Sequence, residues 1–342
     1  MHFDIISIRL QQIDINVSHA MLGKIAIRSI PADIWAGLEA LATRHYRSTE
    51  AEARYALRAW VEPLLQQKER SARRTQVASR LRDLLDQVNT VHGARGIRPS
   101  HIAQAIGEDY AEPVENWFAG ELEPTFRQLE SVAEYLGGST AWLQHGDGAM
   151  FTVKTRRIPE DAAEGTKWLL DFNEAGERTN FLHLVRQGGA TGALAVVKQY
   201  GDWRCKTYST PYHISEAIGA GGESSLVHLT LILRLLYKYY TRRSGDGVVI
   251  KSYILREEEY RALLDGNAHP LPLLSGGIET PWWEDIWDEN QWDSANYWEG
   301  WKALCPRIRK ALELRPTLVE ELKLIKAEEH PLLTESRAKR PG

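Results

Sequence analysis

The sequence predicts a multidomain fold in three parts: a short strand with two helices near the N-terminus, a central all-α region and a C-terminal α+β half. Three observations carry this reading. Residues 24–30 alternate charged or small residues with isoleucines ahead of Pro31 and two helical patterns. Residues 75–150 hold short helical patterns punctuated by glycine. Beyond 165, β-prone runs alternate with Gly-rich turns and one long apolar helix.

A chain of 342 residues is long for one compact domain. Its net charge of −4 does not announce a nucleic-acid partner, so the distribution of charge matters more than the sum. The two cysteines, Cys205 and Cys305, belong to no CxxC or Cys/His cluster. Neither a zinc site nor a disulfide framework is expected, in keeping with a reducing cytoplasm. No other metal and no cofactor is expected. The first twenty residues lack the pattern of a signal peptide. The most apolar stretch, 226–240, contains His228, Arg234 and Lys238 and is too short and too charged to span a bilayer. A cytoplasmic protein without a membrane partner is expected.

The predicted parts are an N-terminal arm (1–22), a strand and two helices (23–66), a helical region (67–151), an α+β domain (165–327) and a solvated or disordered tail (328–342). Residues 152–164 read as a linker. The stretch 66–98 is basic, with eight Lys and Arg against Glu69, Asp83 and Asp86.

In residues 24–30, Lys24, Ala26 and Arg28 share one face of a strand and Ile25 and Ile27 the other. Pro31 ends the strand and suits the start of a helix. Ile34, Leu38 and Leu41 recur at helical spacing. After a turn at 45–47, Ser48 or Thr49 can cap a second helix, with Glu52 placed to complete a capping box. Ala53, Ala56, Leu57 and Trp60 are expected to face inward. One strand and two short helices cannot bury a core alone. A second copy solves this, pairing the strands into an antiparallel ribbon over four helices. Such a ribbon fits the DNA major groove, where arginine bonds guanine O6 and N7. The N-terminus of the second helix offers free N–H groups to a phosphate.

The stretch KIAIRSIPADIWAGLEALATRHYRSTEAEARYALRAWV resembles the ribbon-helix-helix family, of Arc/MetJ type, and is most similar to its antitoxins that partner PIN-domain toxins. The phrase 47–54 and the Ile27-Arg28 pair leading to Ile30 carry the likeness. The resemblance implies a homodimer, or higher even oligomer, on double-stranded DNA. It makes Arg28 the base reader, with Lys24 and Ala26 lining the ribbon and Arg47, Ser48 and Thr49 at the phosphate.

Residues 75–150 resemble the Cro/phage-repressor type of helix-turn-helix domain. Ile102, Ala103, Gly107, Trp117, Gly120, Leu129, Val132, Ala133 and Leu136 fall near that family's core positions. The position of the recognition helix carries Asp109, Glu112 and Glu115, which repel phosphate. A compensating backbone contact would come from the basic run, through Arg73 and Arg74, and from Arg98, Ser100, His101 and Gln104. The other reading is a helical domain used for dimerisation or protein contacts.

The C-terminal half carries fewer signals. The GAGGESS run at 219–225 lacks the Walker lysine and dinucleotide spacing and reads as a turn with a Ser N-cap. Ser224 and His228 lack a third partner for nucleophilic chemistry. No catalytic constellation appears, so an enzyme is not expected. Half of the twelve tryptophans lie in 282–301, among six carboxylates with no Lys or Arg from 282 to 299. Trp282, Trp283, Trp287 and Trp292 are candidates for docking a basic partner or lining a small-molecule pocket, the alternative being that they pack the core. Two functions follow. One is a dimeric transcriptional regulator, a repressor in type, whose C-terminal domain senses a ligand or partner. The other is an antitoxin-like or mobile-element interaction protein whose C-terminal half binds and inhibits another protein.

Overall fold

The computed structural model describes residues 27–92, 96–171, 176–242, 248–288 and 298–338. The chain divides into two units, Met1–Glu69 and Arg70–Gly342. In the first, α1 (Ala32–Arg44) is followed by a tight turn and by α2 (Thr49–His92), which is 44 residues long. Lys24, Ile25 and Ala26 lie outside the described residues, and residues 27–31 form no regular element.

The helix α2 corrects one expectation. The sequence suggested a second helix ending near 65 and a fresh start near 75. The structure runs one helix through to His92. After Pro63 this stretch has no further glycine or proline before Gly93, and its Leu, Gln, Lys, Glu, Ala and Arg residues favour a helix. Turn signals, not charge, end helices.

In the second unit, the later turns of α2 present Val77, Leu81, Leu84 and Val88 as one buried stripe at helical spacing. Around it pack α3 (Pro99–Ile106), α4 (Glu112–Ala119), α5 (Phe126–Leu136) and α6 (Thr140–His145). Ile102, Ala103, Trp117, Phe118, Leu129, Val132, Ala133 and Leu136 are all buried in this bundle. The glycines expected to stop these helices do so: Gly107, Gly120 and Gly137 each adopt positive φ at a C-cap. Thr125 and Gln128 form a reciprocal capping box at the start of α5.

A mixed six-stranded sheet follows. Its strands are β1 (Val153–Thr155), β2 (Phe181–Gln187), β3 (Ala193–Tyr200), β4 (Arg204–His213), β5 (Val249–Leu255) and β6 (Ile278–Glu279), in the order β1-β4-β3-β2-β5-β6. The β1/β4 and β2/β5 pairs are parallel and the others antiparallel. The expected strands at 181–185, 193–197, 203–208 and 248–255 correspond to β2 to β5. Residues 152–164, read as a linker, instead supply β1 and the start of α7 (Ala162–Leu170), with Ile158 fully buried between them.

Both faces of the sheet are covered, which is why its strands read as apolar runs. One face presents Leu182, Leu184, Leu194 and Val196 to α8 (Ala220–Arg242), which is buried nearly all round, and to α7. The other presents Val185, Ala195, Val197, Tyr253 and Leu255 to α9 (Glu257–Asp265) and α10 (Pro270–Gly276). Beyond α8 lie α11 (Trp282–Asp285), α12 (Trp301–Glu313), α13 (Pro316–Ala327) and α14 (Pro331–Ala338). The last corrects the expected tail. His330, Leu332 and Leu333 are buried, so the chain stays docked at least to Leu333 because these apolar groups have a core to join.

The helical bundle and the sheet belong to the same unit. Trp203 Nε1 donates to the Tyr135 carbonyl (2.9 Å) and the His269 N–H to Gln87 Oε1 (3.0 Å). Gly266 explains one close approach: a Cβ there would sit 2.3 Å from the Phe151 carbonyl oxygen, whose own N–H bonds Gly266.

Candidate functional site

The segment leading into α1 leaves Arg28 exposed. Residues 27–31 form no regular element, so the strand expected over 24–30 is not seen among its described residues. At the other end of α1, Tyr46 takes φ 54° and turns the chain. Ser48 then caps α2, its Oγ accepting from the Ala51 N–H at 3.2 Å. Arg47 and Ser48 are exposed and Thr49 is half-buried, all at the N-terminus of α2, where unsatisfied N–H groups and the helix dipole favour an anion.

Glu52 does not complete the expected capping box. It is 3% exposed and turns to His45 Nδ1 (2.8 Å) and Arg47 Nη1 (3.5 Å), binding the turn to the helix it begins. The guanidinium of Arg47 also lies 4.4 Å from the Tyr55 ring centre.

The expected inward stripe is also corrected. Within one copy, Ala56, Leu57 and Trp60 face solvent, Trp60 at 70% exposure, and Ile34 on α1 is 59% exposed. Among the described residues of this unit, only Ala42 and Glu52 are buried. Two helices have no third element on which to close, so their apolar stripe remains outward.

In the bundle, four arginines of the basic run are engaged by the protein itself. Arg73 pairs with Glu123 (Nε to Oε1, 2.6 Å), 5.4 Å from the Phe126 ring centre. Arg74 donates to the Glu121 carbonyl (2.9 Å), and Arg82 to that of Phe118. Arg80 donates to the carbonyls of Leu143 (2.9 Å) and Gln144 (3.3 Å). These guanidinium groups satisfy carbonyls at or just past the ends of α4 and α6, where a cation is electrostatically favoured. The reading of Arg73 and Arg74 as phosphate contacts therefore meets a structural task that already holds both side chains. Arg98, His101 and Gln104 are exposed on the first turns of α3 and Ser100 is half-buried, while Asp109, Glu112 and Glu115 are exposed around α4.

In the tryptophan segment the structure shows core packing, one of the readings that the sequence left open. Trp282, Trp283 and Trp287 belong to the main core, and Trp282 Nε1 donates to the Tyr253 carbonyl at 3.1 Å. Trp283 and Trp287 pack against Tyr237 of α8, with ring centres 6.1 and 4.9 Å away. Trp292 lies outside the described residues. Trp287 alone of the three also borders a cleft of about 280 Å³, between α8, α11, α12 and α13. A second, more polar cavity of about 400 Å³ lies between α5 and β4, lined by Glu130, Glu134, Lys154, Arg204 and Lys206 among others.

Several buried polar groups escaped the sequence reading. Arg186 donates to the carbonyls of Ile214, Gln187, Gly189 and Glu299 at 3.0–3.3 Å. Lys198 donates to the Trp168 carbonyl under the Trp168 ring, and burial pulls its pKa down to about 8. Burial likewise lowers His183 and His269 to about 4 and raises Asp285 to about 7, the last also under the influence of Glu284 and Asp288. In the sequence His183, Arg186 and Lys198 stand in or beside apolar runs, whereas Asp285 stands in the acidic tryptophan segment. Among the described residues, no group of three or more His, Cys, Asp or Glu is placed to hold a metal ion, and no helix is long and apolar enough to cross a membrane.

Residues 24–61 match the family model described as the FitA-like antitoxin, ribbon-helix-helix. Comparison with curated proteins and with solved structures gave no match.

Proposed function

We propose that the chain is a transcriptional regulator that reads DNA as a dimer through its N-terminal ribbon-helix-helix domain. The match over residues 24–61 supports an antitoxin-like, DNA-binding character, since such domains bind DNA and form dimers. The observation that carries the reading is the outward apolar stripe of α1 and α2, which has no cover within one copy. A second copy buries it and pairs residues 24–30 with their symmetry mates. The ribbon then places Lys24, Ala26 and Arg28 twice in the major groove. Arg28 reads guanine, and Arg47, Ser48 and Thr49 at the α2 N-terminus hold the flanking phosphate.

The bundle at 67–151 is read as helix-turn-helix-like. Its support is the α3–Gly107–α4 arrangement and the burial of its expected core positions. With Asp109, Glu112 and Glu115 exposed around α4, it is assigned an assisting role, through Arg98, Ser100, His101 and Gln104, and not base reading. The C-terminal half is assigned to sensing a ligand or partner in the cytoplasm, without catalysis. The antitoxin description favours a second reading, in which this half binds and inhibits another protein.

The test is selection of bound sequences from a random DNA library by the full chain and by Arg28→Ala. A two-fold-symmetric motif that disappears in the variant is expected. The same motif from both proteins would refute the ribbon as reader.

A further inference from the structure

We propose that the cavity between α5 and β4 binds a neutral, polyhydroxylated molecule of monosaccharide size. For its regulatory meaning only, this rests on the reading that the C-terminal half, to which β4 belongs, senses a ligand. The cavity holds about 400 Å³, within the range of small-molecule sites, and its lining mixes hydroxyl and charged groups with two tyrosines. Its walls are held in place. A Cβ on Gly137, at the end of α5, would lie 3.3 Å from the Arg204 Cα at the start of β4. Beside it, Trp203 Nε1 donates to the Tyr135 carbonyl at 2.9 Å. A site whose walls are fixed beforehand loses less on ordering a ligand.

The unengaged groups set the ligand's class. Glu130 and Glu134 stand one turn apart on α5, both exposed, and neither carboxylate has a hydrogen bond or ion pair among the described residues. Thr207 of β4 is 3% exposed and lines the cavity, and its hydroxyl too has no hydrogen-bond partner among the described residues. A buried hydroxyl without a partner is unfavourable, and a ligand group that bonds it removes that penalty. Carboxylates only accept, whereas a hydroxyl donates and accepts. The matching ligand is rich in O–H donors.

Charge disfavours the ionic alternatives. Glu130, Glu134 and Glu177 are matched in number by Lys154, Arg204 and Lys206. These cations are not available to an anion: Arg204 pairs with Glu177 at 2.5 Å, and Lys154 and Lys206 have interactions of their own. The same three cations oppose an amine at the carboxylates. What remains is a neutral ligand whose hydroxyls reach Glu130, Glu134 and Thr207, with the half-buried Tyr208 offering apolar surface to its carbon skeleton.

The probes are glucose, galactose, mannose, xylose and ribose, each titrated calorimetrically into the full chain, with butane-1,4-diamine and inorganic phosphate as ionic controls. Saturable one-site binding of at least one sugar is expected, about tenfold or more tighter than that of either control. Glu134→Gln, at an exposed position, weakens it about tenfold, because a charged acceptor is lost. Thr207→Val, which keeps the shape and removes the hydroxyl, weakens it about threefold. Circular dichroism unchanged from the parent shows that each variant is folded, and the exposed Glu134→Gln carries the test if Thr207→Val does not fold. Binding of no sugar, equal binding of a control, or an affinity that neither folded variant lowers would overturn the proposal. So would diamine bound without any sugar, which assigns the cavity to amines. A sugar bound as expected, with DNA affinity unchanged, upholds the site and refutes the sensing role.

Discussion

The two units handle apolar residues in opposite ways. In Met1–Glu69, Ile34, Trp35, Leu57 and Trp60 lie exposed and the described part holds almost no core. In Arg70–Gly342, α8 and the sheet bury apolar groups on every side, and even the final helix contributes Leu332 and Leu333. Similar amphipathic patterns thus end outside in one unit and inside in the other. The difference lies in how many elements each unit has to close upon. A unit of two helices needs an external partner, whereas a sheet covered on both faces needs none. The first is the place to expect assembly, and the second the place to expect internal stability.

That contrast can be broken from either side. The largest effect is expected from Trp60→Glu, which puts a charge on the outward stripe. Sedimentation is expected to show a monomer at micromolar concentration, with DNA affinity down by about a hundredfold or more, because two half-sites must bind together. In the second unit, Trp117→Ala removes a fully buried ring from the bundle. A loss of about 3–5 kcal/mol in chemical denaturation is expected, with the N-terminal assembly intact. A smaller effect is expected from Arg82→Met, which keeps the aliphatic stem but leaves the Phe118 carbonyl without its guanidinium donor. About 1–2 kcal/mol is expected by the same measurement.

A further test of the second unit uses pH. His183 and His269 titrate near 4 in the folded chain, below the ordinary value of 6.5, because burial disfavours their charged forms. The unfolded chain therefore binds more protons between those values. Stability is full above about 6.5 and falls as pH drops towards 4, by up to roughly 3 kcal/mol for each histidine. His269→Gln is expected to flatten the fall in a pH series of melting curves, and an unchanged slope would exclude its contribution.

Much of this architecture was legible because local chemistry and tertiary packing agreed. Gly107, Gly120 and Gly137 stop helices in the sequence and in the structure. The runs at 181–185 and 193–197 became neighbouring strands because each is apolar on both faces and bounded by turns. What was not legible depends on distant partners. The tasks of Arg74, Arg80 and Arg82 depend on where α4 and α6 end in space, so the basic run read as a free surface. The acidic tryptophan segment was open to both surface and core readings, because charge is visible in a sequence while the core that takes Trp282 and Trp283 is not. Glu52 fitted a capping box by spacing, but His45 and Arg47 hold it instead. The candidate reader divided the same way. Alternation and Pro31 mark residues 24–30, but the proposed ribbon needs a second chain.

The central claim is that Arg28, on a symmetric ribbon, reads DNA for this chain. The direct measurement is an anisotropy titration of a selected operator and a scrambled duplex with the full chain and Arg28→Ala, at fixed salt. Light scattering on the same samples reports their assembly state. Dimers are expected in both cases, with the preference of the parent for its operator lost in the variant and the weak affinity for scrambled DNA little changed. An Arg28→Ala dimer that keeps the full preference for the operator would contradict it.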